Sequence, residues 1–432
     1  MVSFQLLVEY TYIKRSVYVG SRVKMASIVF IETYRNGSCM EGILAAKKLG
    51  YDIHLITAKK RYLGSGFPEV NQVHFVSILG EKTINEKLNE IKKEMNIASI
   101  ISFIDPFVSL AAKLNRIHCG TNLSVDALRI MEDKIISRDF LRHLPYTPSY
   151  QIHNHAIPLK NLLAQLNGNY PVVLKKPSSQ GSRDVYLIRS ETQLKNRLLF
   201  LKSKNPKGDW LIEEYLDGPQ YIVETIVHNR EIHIAAIIEQ EITKQLKFIV
   251  TGYSLSPVMD RTIIEGISEA TDTILKELDL ENGNCHLEIR CVNGKWKLIE
   301  LNPRISGGAI NTLIKHAYGF NYAEQILNLY MGKKPVLERK HEQSVFAHFF
   351  TVNCVGRLLN ITGLQEARKS REIVDMYIKP KKGQILSPPL SMGHRYGYVI
   401  AKGATKEDAR LNALLASSKV VFELAPLERE AR

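Results

Sequence analysis

Several features that assign proteins to common classes are missing from this sequence. No apolar run approaches the roughly 18 residues that a membrane-spanning helix needs. The five cysteines are scattered and include no CxxC pair, which fits neither a disulfide framework nor a zinc site. These absences exclude a membrane-spanning chain and favour a reducing compartment, so we expect a cytoplasmic protein.

Two common nucleotide-binding motifs are also missing. The first strand–helix turn, at residues 33–38, reads TYRNGS instead of GxGxxG, which disfavours a nicotinamide dinucleotide site. No GxxxxGK[ST] occurs anywhere in the chain, so a P-loop is absent as well.

Length and charge set broad limits on what remains. A chain of 432 residues predicts about three folding units. The 58 Lys and Arg residues outnumber the 44 Asp and Glu residues, giving a net charge of +14 that attracts polyanions in general. The excess is spread thinly and not gathered into a basic motif with interleaved aromatics, which disfavours nucleic acid as a partner. A basic nucleic-acid or scaffold protein stays open as a minor alternative.

From Ala26 the sequence alternates short β-rich runs with helical stretches, which is typical of a parallel βαβ sheet. The predicted elements follow one another at 27–31, 38–49, 52–57, 73–78, 81–95, 98–103 and 105–115, and Asp105 is the expected cap of the last helix. Residues 1–24 lack the pattern of a signal peptide. We expect them to be an appendage outside the fold.

The rest of the chain predicts further units that mix helices and strands, so the expected fold class is α/β followed by α+β. We place a βαβ domain at 25–120, a second unit at 121–202, a third at 203–334 and a last one at 335–432. The second unit opens with a predicted helix at 125–144, and the last ends with a predicted helix at 406–424.

The most informative run is CHLEIRCVNGKWKLIELNPRISGG at residues 285–308. Its Asn-Gly pair predicts a hairpin with Glu288 on one strand and Glu300 on the other. Period-two alternation places Glu300, Asn302 and Arg304 on the same side as Leu298. Two carboxylates and an amide oxygen suit Mg²⁺, which takes its other ligands from water and phosphates, and Arg304 would lie beside the phosphoryl group. A pair of surface glutamates is the alternative.

A second run, PVVLKKPSSQGSRDV at residues 171–185, is a strand that ends in lysine, a loop of small residues and another strand. Backbone N–H groups of such a loop can approach phosphate oxygens, and the lysine supplies a positive charge. The loop candidates for phosphate contacts are Ser179, Gly181 and Ser182. An ordinary hairpin is the alternative.

A third run, WLIEEYLDGPQYIVE at residues 210–224, is an apolar strand followed by an acidic pair and a turn. A carboxylate at Glu213 or Glu214, next to exposed strand backbone, could accept a hydrogen bond from the adenine amino group. The alternative is a solvent-facing acidic strand end.

In order and spacing, these three runs resemble the ATP-grasp superfamily, in which ATP lies between two α+β subdomains. The resemblance makes 121–202 and 203–334 those two subdomains. It implies that Gln220 replaces a ribose-binding glutamate and that Asp184 replaces a common loop glycine. The implied contacts of ATP are Lys134, either Lys175 or Lys176, the Glu213 side chain, the backbone near Tyr215 and Leu216, and Gln220. Mg²⁺, for which Mn²⁺ could substitute, is implied at Glu288, Glu300 and Asn302.

Within this superfamily, the runs HLEIR and LIELNPRISGG and the tail from Gly356 look most like the L-amino acid ligases that form dipeptides. That resemblance implies a C-terminal lid at 335–432 and catalytic roles for Arg304 and Lys175. It also implies that ATP phosphorylates a carboxylic acid and that an amine then displaces phosphate. A carboxylase that activates bicarbonate is the alternative. The substrates and the oligomeric state are not specified, and a homodimer stays open.

Overall fold

The structure is a computed structural model that describes residues 26–154, 158–177, 179, 181–204, 208–243 and 248–427. The predicted appendage at 1–24 lies outside the described residues. Among the residues described, no helix has the length and apolar character needed to cross a membrane.

The first domain is built on a four-stranded parallel sheet with strand order β3-β2-β1-β4. Because both faces of a parallel sheet are covered by helices, its central strands are almost entirely buried and mostly apolar. Its elements are β1 (Ala26–Ile31), α1 (Gly37–Lys48), β2 (Asp52–Thr57), β3 (Gln72–Phe75), α2 (Glu81–Glu94), β4 (Asn96–Ile101) and α3 (Val108–Cys119).

Helix α3 begins three residues later than predicted, and Asp105 does not cap it. The carboxylate of Glu132 accepts hydrogen bonds from the backbone N–H groups of Val108 at 2.7 Å and Ser109 at 3.1 Å. A side chain from the next helix therefore satisfies the first turn of α3. This leaves the Asp105 carboxylate for an ion pair with Arg304.

The second unit is a four-stranded antiparallel sheet of order β5-β8-β6-β7 that is preceded by two short helices. The single helix predicted at 125–144 is broken at Asp133, whose carboxylate caps a new helix by accepting from Ile135 N and Ile136 N. The elements are α4 (Val125–Glu132), α5 (Lys134–Phe140), β5 (Tyr150–Asn154), α6 (Leu159–Leu166), β6 (Val172–Lys175), β7 (Val185–Ile188), α7 (Glu191–Lys204) and β8 (Asp209–Glu214).

An eight-stranded sheet of order β13-β12-β9-β10-β11-β14-β18-β16 forms the centre of the molecule. The boundary predicted at residue 334 does not interrupt it, because β14 pairs with β11 and extends the sheet. The elements up to β14 are β9 (Gln220–His228), β10 (Glu231–Thr243), β11 (Ile249–Leu255), α8 (Arg261–Glu277), β12 (Gly283–Val292), β13 (Lys295–Asn302), α9 (Ile310–Tyr318), α10 (Tyr322–Tyr330) and β14 (Ser344–Phe349).

The last part of the chain completes this sheet and adds a three-stranded sheet of order β17-β15-β19. The helix predicted at 406–424 stops at Ser417, because the chain turns there and residues 421–425 pair with β15. The elements are β15 (Gly356–Thr362), α11 (Leu364–Arg368), β16 (Ile373–Ile378), β17 (Ile385–Leu386), β18 (Gly397–Gly403), α12 (Lys406–Ser417) and β19 (Val421–Ala425).

Candidate active site

A cavity of about 540 Å³ is lined by residues of the antiparallel four-stranded sheet and of the eight-stranded sheet. The segment 391–395 of the last part of the chain also lines it. The backbone N–H of Met392 donates to the carbonyl of Gly181 at 3.0 Å, so this segment meets the small-residue loop. The cavity brings together every residue predicted to contact ATP or metal: Lys134, Lys175, Lys176, Ser179, Gly181, Ser182, Glu213, Tyr215, Leu216, Gln220, Glu288, Glu300, Asn302 and Arg304.

The predicted metal ligands lie on the hairpin of β12 and β13. The Asn293-Gly294 turn, with φ of 49° and 75°, sets a register in which Glu288 is directly opposite Glu300. A register shift next to this pair makes Ile299 line the cavity beside Glu300, while Leu298 is buried in the core. The predicted alternation from Leu298 is therefore wrong at the bulge, although the two carboxylates do face each other across the hairpin.

The two carboxylates differ in their surroundings. Lys134 Nζ lies 2.9 Å from Glu300 Oε1, and although burial alone raises the pKa of Glu300, this lysine holds it below its ordinary range. Burial and the adjacent charge of Glu300 raise the pKa of Glu288. A divalent cation between the carboxylates would relieve this repulsion, since it favours both ionised forms.

The side chain of Asn302 is oriented by its contact with His286. His286 Nδ1 lies 2.7 Å from the carbonyl oxygen of Arg304 and must donate to it, because a carbonyl only accepts. Burial and the Arg304 charge lower the pKa of His286 to about 4, so its Nε2 is an acceptor that faces Asn302 Nδ2 at 3.2 Å. The amide oxygen of Asn302 is then the atom left for a cation.

These residues fit Mg²⁺. Within the described ranges no group of three or more His, Cys, Asp and Glu side chains could hold a metal ion by itself. Glu288, Glu300 and Asn302 would supply three oxygen ligands, and nucleotide phosphates and water would have to complete the shell. That division is the one Mg²⁺ favours in nucleotide sites.

Lys175 and Glu213 form a buried cluster with Arg138. Lys175 Nζ lies 2.5 Å from Glu213 Oε2, and Arg138 Nε lies 2.6 Å from Glu213 Oε1. Burial acting alone would raise the pKa of Glu213, but these two cations hold it below its ordinary value. Because both of its oxygens are engaged, Glu213 contributes to an internal ion-pair network as well as to the cavity wall.

Both lysines at the end of β6 line the cavity, which differs from the expectation that only one could. The strand ends at Lys175, so side-chain alternation does not extend to Lys176. Lys175 is 7% exposed and paired with Glu213, whereas Lys176 is more exposed. Which lysine binds phosphate stays a prediction.

Gln220 forms a chain of hydrogen bonds along the cavity wall. Its Nε2 donates to Glu288 Oε2 at 2.8 Å, and its Oε1 accepts from Arg290 Nε at 2.8 Å. A glutamate here would place a second negative charge against Glu288, whereas the neutral amide donates to it. The substitution thus connects the expected ribose position to a predicted metal ligand.

Three family models match the chain. They are the ATP-grasp N-terminal domain at residues 40–117, the ATP-grasp domain at 168–313 and the L-amino acid ligase C-terminal domain 2 at 348–425. This protein belongs to the ATP-grasp superfamily. The resemblance stated from the sequence and the prediction of an ATP-dependent C–N ligase are confirmed at this level.

Individual relatives are distant. Dapdiamide A synthase of Enterobacter agglomerans is 22% identical over 202 residues, which cover 46% of this chain and 47% of that protein, so the match spans about half of that relative. An L-amino acid ligase from Bacillus licheniformis has a TM-score of 0.78 at 17% identity, covering 94% of this chain and 100% of that one. The biotin carboxylase domain of 2-oxoglutarate carboxylase from Hydrogenobacter thermophilus, solved with Mg-ADP and bicarbonate, has a TM-score of 0.63 at 14% identity, covering 93% and 91%. These two structures share the fold.

Part of the wall of the ATP-grasp cavity is apolar and suits a planar base. The rings of Tyr215 and Phe248 stack with centroids 6.1 Å apart. Aliphatic side chains line the same cavity, among them Val173, Val185 and Val250. Next to them, Leu216 brings main-chain hydrogen-bonding groups, and its carbonyl accepts from Arg290. Apolar faces with a few polar edges are typical of nucleotide base sites.

The loop that follows β13 also lines the cavity, through Arg304, Ser306 and Gly307. Arg304 Nε lies 2.8 Å from Asp105 Oδ2 of the first domain. The backbone N–H of Ser306 donates to Glu224 Oε1 at 2.9 Å, and Ser38 Oγ donates to the Ser306 carbonyl at 2.6 Å. Contacts from the first domain and from β9 therefore position this loop.

Several residues of this ATP-grasp site were missed by sequence reasoning. Four of them lie outside the three runs: Arg138, Phe248, Tyr253 and Arg395. Arg290 lies inside the run 285–308 but was not predicted to have a role. Arg290 alone carried a signal, because it lies two residues after Glu288 on the same strand and so shares its face.

Proposed function

We propose that this protein is an ATP-dependent ligase that joins the carboxylate of an amino acid to an amine, releasing ADP and phosphate. The observation that supports it most strongly is the composition of one cavity. Apolar side chains near Tyr215, the lysines Lys175 and Lys176, the Glu288–Glu300 carboxylate pair and Arg304 all line this one cavity. The match of residues 348–425 to an L-amino acid ligase domain favours an amino acid as the acid.

The cavity residues have distinct tasks in this reaction. Lys134 and Lys175 or Lys176 hold the phosphates of ATP, and Arg304 neutralises charge on the phosphoryl group as it moves to the acid. Glu288, Glu300 and Asn302 would hold Mg²⁺, which would supply further charge neutralisation on the phosphates. The acid oxygen forms a bond to phosphorus as the bond to ADP breaks.

The second step consumes the acyl phosphate. The nitrogen lone pair of the amine forms the C–N bond, the C–O bond to phosphate breaks, and the phosphate leaves with that electron pair and the proton lost by nitrogen. A cavity that excludes bulk water favours the amine over hydrolysis.

The test is an ATP turnover assay with the twenty L-amino acids, in pairs and singly with hydroxylamine. We expect ADP and phosphate as products, and a hydroxamate of the amino acid that is the acid substrate. AMP and pyrophosphate, or no turnover with any amino acid, would contradict the proposal. Turnover that requires bicarbonate, with no hydroxamate, would favour the carboxylase alternative to which the shared fold also points.

A further inference from the structure

Arg138 connects helix α5 to the backbone of β13 next to Glu300. The arginine is buried, with 3% of its surface exposed. Its Nη2 atom donates to the carbonyl oxygens of Leu298 at 3.0 Å and Ile299 at 2.7 Å. Its Nε atom donates to Glu213 Oε1 at 2.6 Å. One guanidinium thus serves two backbone acceptors and one carboxylate, which the rigid set of donors in arginine allows.

The two carbonyls belong to the bulge of β13. Glu300 is paired with Glu288, and Leu298 is paired with the next residue of β12. Ile299, between them, is therefore the extra residue of the bulge. Among the strands described, β13 lies at one end of the eight-stranded sheet, so its outer edge is not paired within that sheet. Buried backbone groups on such an edge need other partners, and Arg138 supplies one for both carbonyls.

Lys134 holds the same part of β13 through a side chain. This lysine lies four residues before Arg138 on α5, so the two side chains share one face of the helix. Its Nζ lies 2.9 Å from Glu300 Oε1. Helix α5 therefore contacts this stretch of β13 twice, once at the carboxylate of the predicted metal ligand and once at the adjoining backbone. Together the two contacts restrict the direction in which Glu300 points.

Lys175 shares acceptors with Arg138 but is placed differently. Its Nζ lies 2.5 Å from Glu213 Oε2 and 3.3 Å from the Ile299 carbonyl oxygen. Lys175 lines the cavity and is an expected phosphate ligand, whereas Arg138 is not among the residues that line it. Arg138 can therefore influence a bound nucleotide or cation only through the groups that it holds.

We propose that Arg138 is a positioning residue, which fixes the bulge of β13 and thereby orients Glu300 towards the expected Mg²⁺ site. The inference rests on one part of the proposed function, the binding of ATP with Mg²⁺, and not on the identity of the acid or the amine. The other role open to Arg138 is compensation of the buried Glu213 charge, for which any cation is sufficient. Holding two carbonyls and a carboxylate at once requires the fork of a guanidinium, because the ammonium group of lysine is a single point. Replacement by lysine therefore separates the two roles.

The test measures thermal stabilisation by the β,γ-imido analogue of ATP, titrated with Mg²⁺, in wild type, Arg138→Lys and Arg138→Met. At a fixed analogue concentration, Mg²⁺ binding by the free nucleotide is the same for every protein. In both variants the Mg²⁺ concentration for half-maximal stabilisation should rise ~10- to 100-fold, the usual effect of losing a group that orients a metal ligand. Without nucleotide, Arg138→Lys should melt close to wild type because a cation still faces Glu213. The exposed Arg142→Met variant is the control and should behave as wild type.

A wild-type Mg²⁺ requirement in Arg138→Lys would overturn the inference, because charge alone would then be sufficient. So would an Arg138→Met protein that melts earlier but keeps the wild-type Mg²⁺ requirement, since Arg138 would then only stabilise the fold. If Arg138→Met does not fold, adding Glu213→Gln removes the less compensated charge. The Mg²⁺ requirement of that double variant should exceed that of Glu213→Gln alone, and equal values would contradict the inference.

The assay contains neither acid nor amine, so it is independent of the ligase reaction. A protein that binds the analogue with Mg²⁺ but joins no amino acids would contradict the proposed function and leave the role of Arg138 standing. A wild type that the analogue and Mg²⁺ do not stabilise would contradict both.

Discussion

Lys134 and Glu300 form an ion pair between two structural units: Nζ of the lysine, at the first position of α5, lies 2.9 Å from the carboxylate on β13. The same ammonium group donates to the carbonyls of Pro177 and Ser179. A predicted phosphate ligand, a predicted metal ligand and the small-residue loop therefore form one connected group.

Replacing Glu300 by Gln should lower turnover by at least ~100-fold, equivalent to ~2.7 kcal/mol of barrier. The substitution keeps the shape of the side chain but removes the charge that pairs with Lys134 and is expected to hold Mg²⁺. Folding should survive, since the side chain lines a cavity; steady-state ADP release and circular dichroism check both points. The exposed Glu231→Gln variant is the control, and near-normal ADP release by Glu300→Gln would contradict the assigned metal site.

The two lysines at the end of β6 can be separated by matched variants. We expect Lys175→Met to weaken ATP binding and turnover at least ~10-fold more than Lys176→Met, because Lys175 is the strand-end lysine held in place by Glu213. KM for ATP and kcat are measured for both. Since loss of Lys175 also leaves Glu213 less compensated, melting temperatures must be recorded alongside. Equal or reversed kinetic effects would assign phosphate binding to Lys176.

Local patterns predicted the parts of the site that lie on continuous stretches of chain. The Asn-Gly turn fixed the pairing of Glu288 with Glu300 because two-residue hairpins set register through the turn itself. The bulge at Ile299 was not predictable, since nothing in the alternation of apolar and polar residues marks it. The break at Asp133 was missed because the apolar periodicity continues from α4 into α5, and only the cap contacts reveal the new helix start.

Long-range pairing explains most other differences. The last part of the chain was predicted to be a C-terminal lid subdomain at 335–432. Its first strand, β14, pairs with β11 across about 90 residues of sequence and so joins the central sheet. Arg395 enters the cavity as a consequence of this pairing. No local motif marks Arg395 in the sequence. Its contacts with Tyr253 and Phe349 become visible only in the folded structure.

His286 should act as a positioning residue for Asn302. Its neutral ring donates to the Arg304 carbonyl and accepts from the Asn302 amide, which directs the amide oxygen towards the expected cation. His286→Phe removes both contacts, so the Mg²⁺ concentration for half-maximal activity should rise ~10- to 100-fold. Nucleotide-dependent thermal stabilisation titrated with Mg²⁺ gives a second readout. The exposed His143→Phe variant is the control, and an unchanged Mg²⁺ requirement would show that His286 is a packing residue only.

Glu224 should make stability depend on pH. Burial raises its pKa to about 8, so the folded protein keeps a proton that the unfolded chain loses near the ordinary value of 4.5. The free energy of unfolding therefore falls as pH rises from about 4.5 to about 8, and it levels off above that range. Glu224→Gln is always neutral and still offers an oxygen to the Ser306 N–H, so it should remove this loss and be ~1 to 3 kcal/mol more stable than wild type at pH 8, with little difference at pH 5. Melting temperatures of wild type, Glu224→Gln and the exposed Glu231→Gln between pH 5 and pH 8 check this; parallel curves for all three proteins would mean that Glu224 is ionised in the folded state.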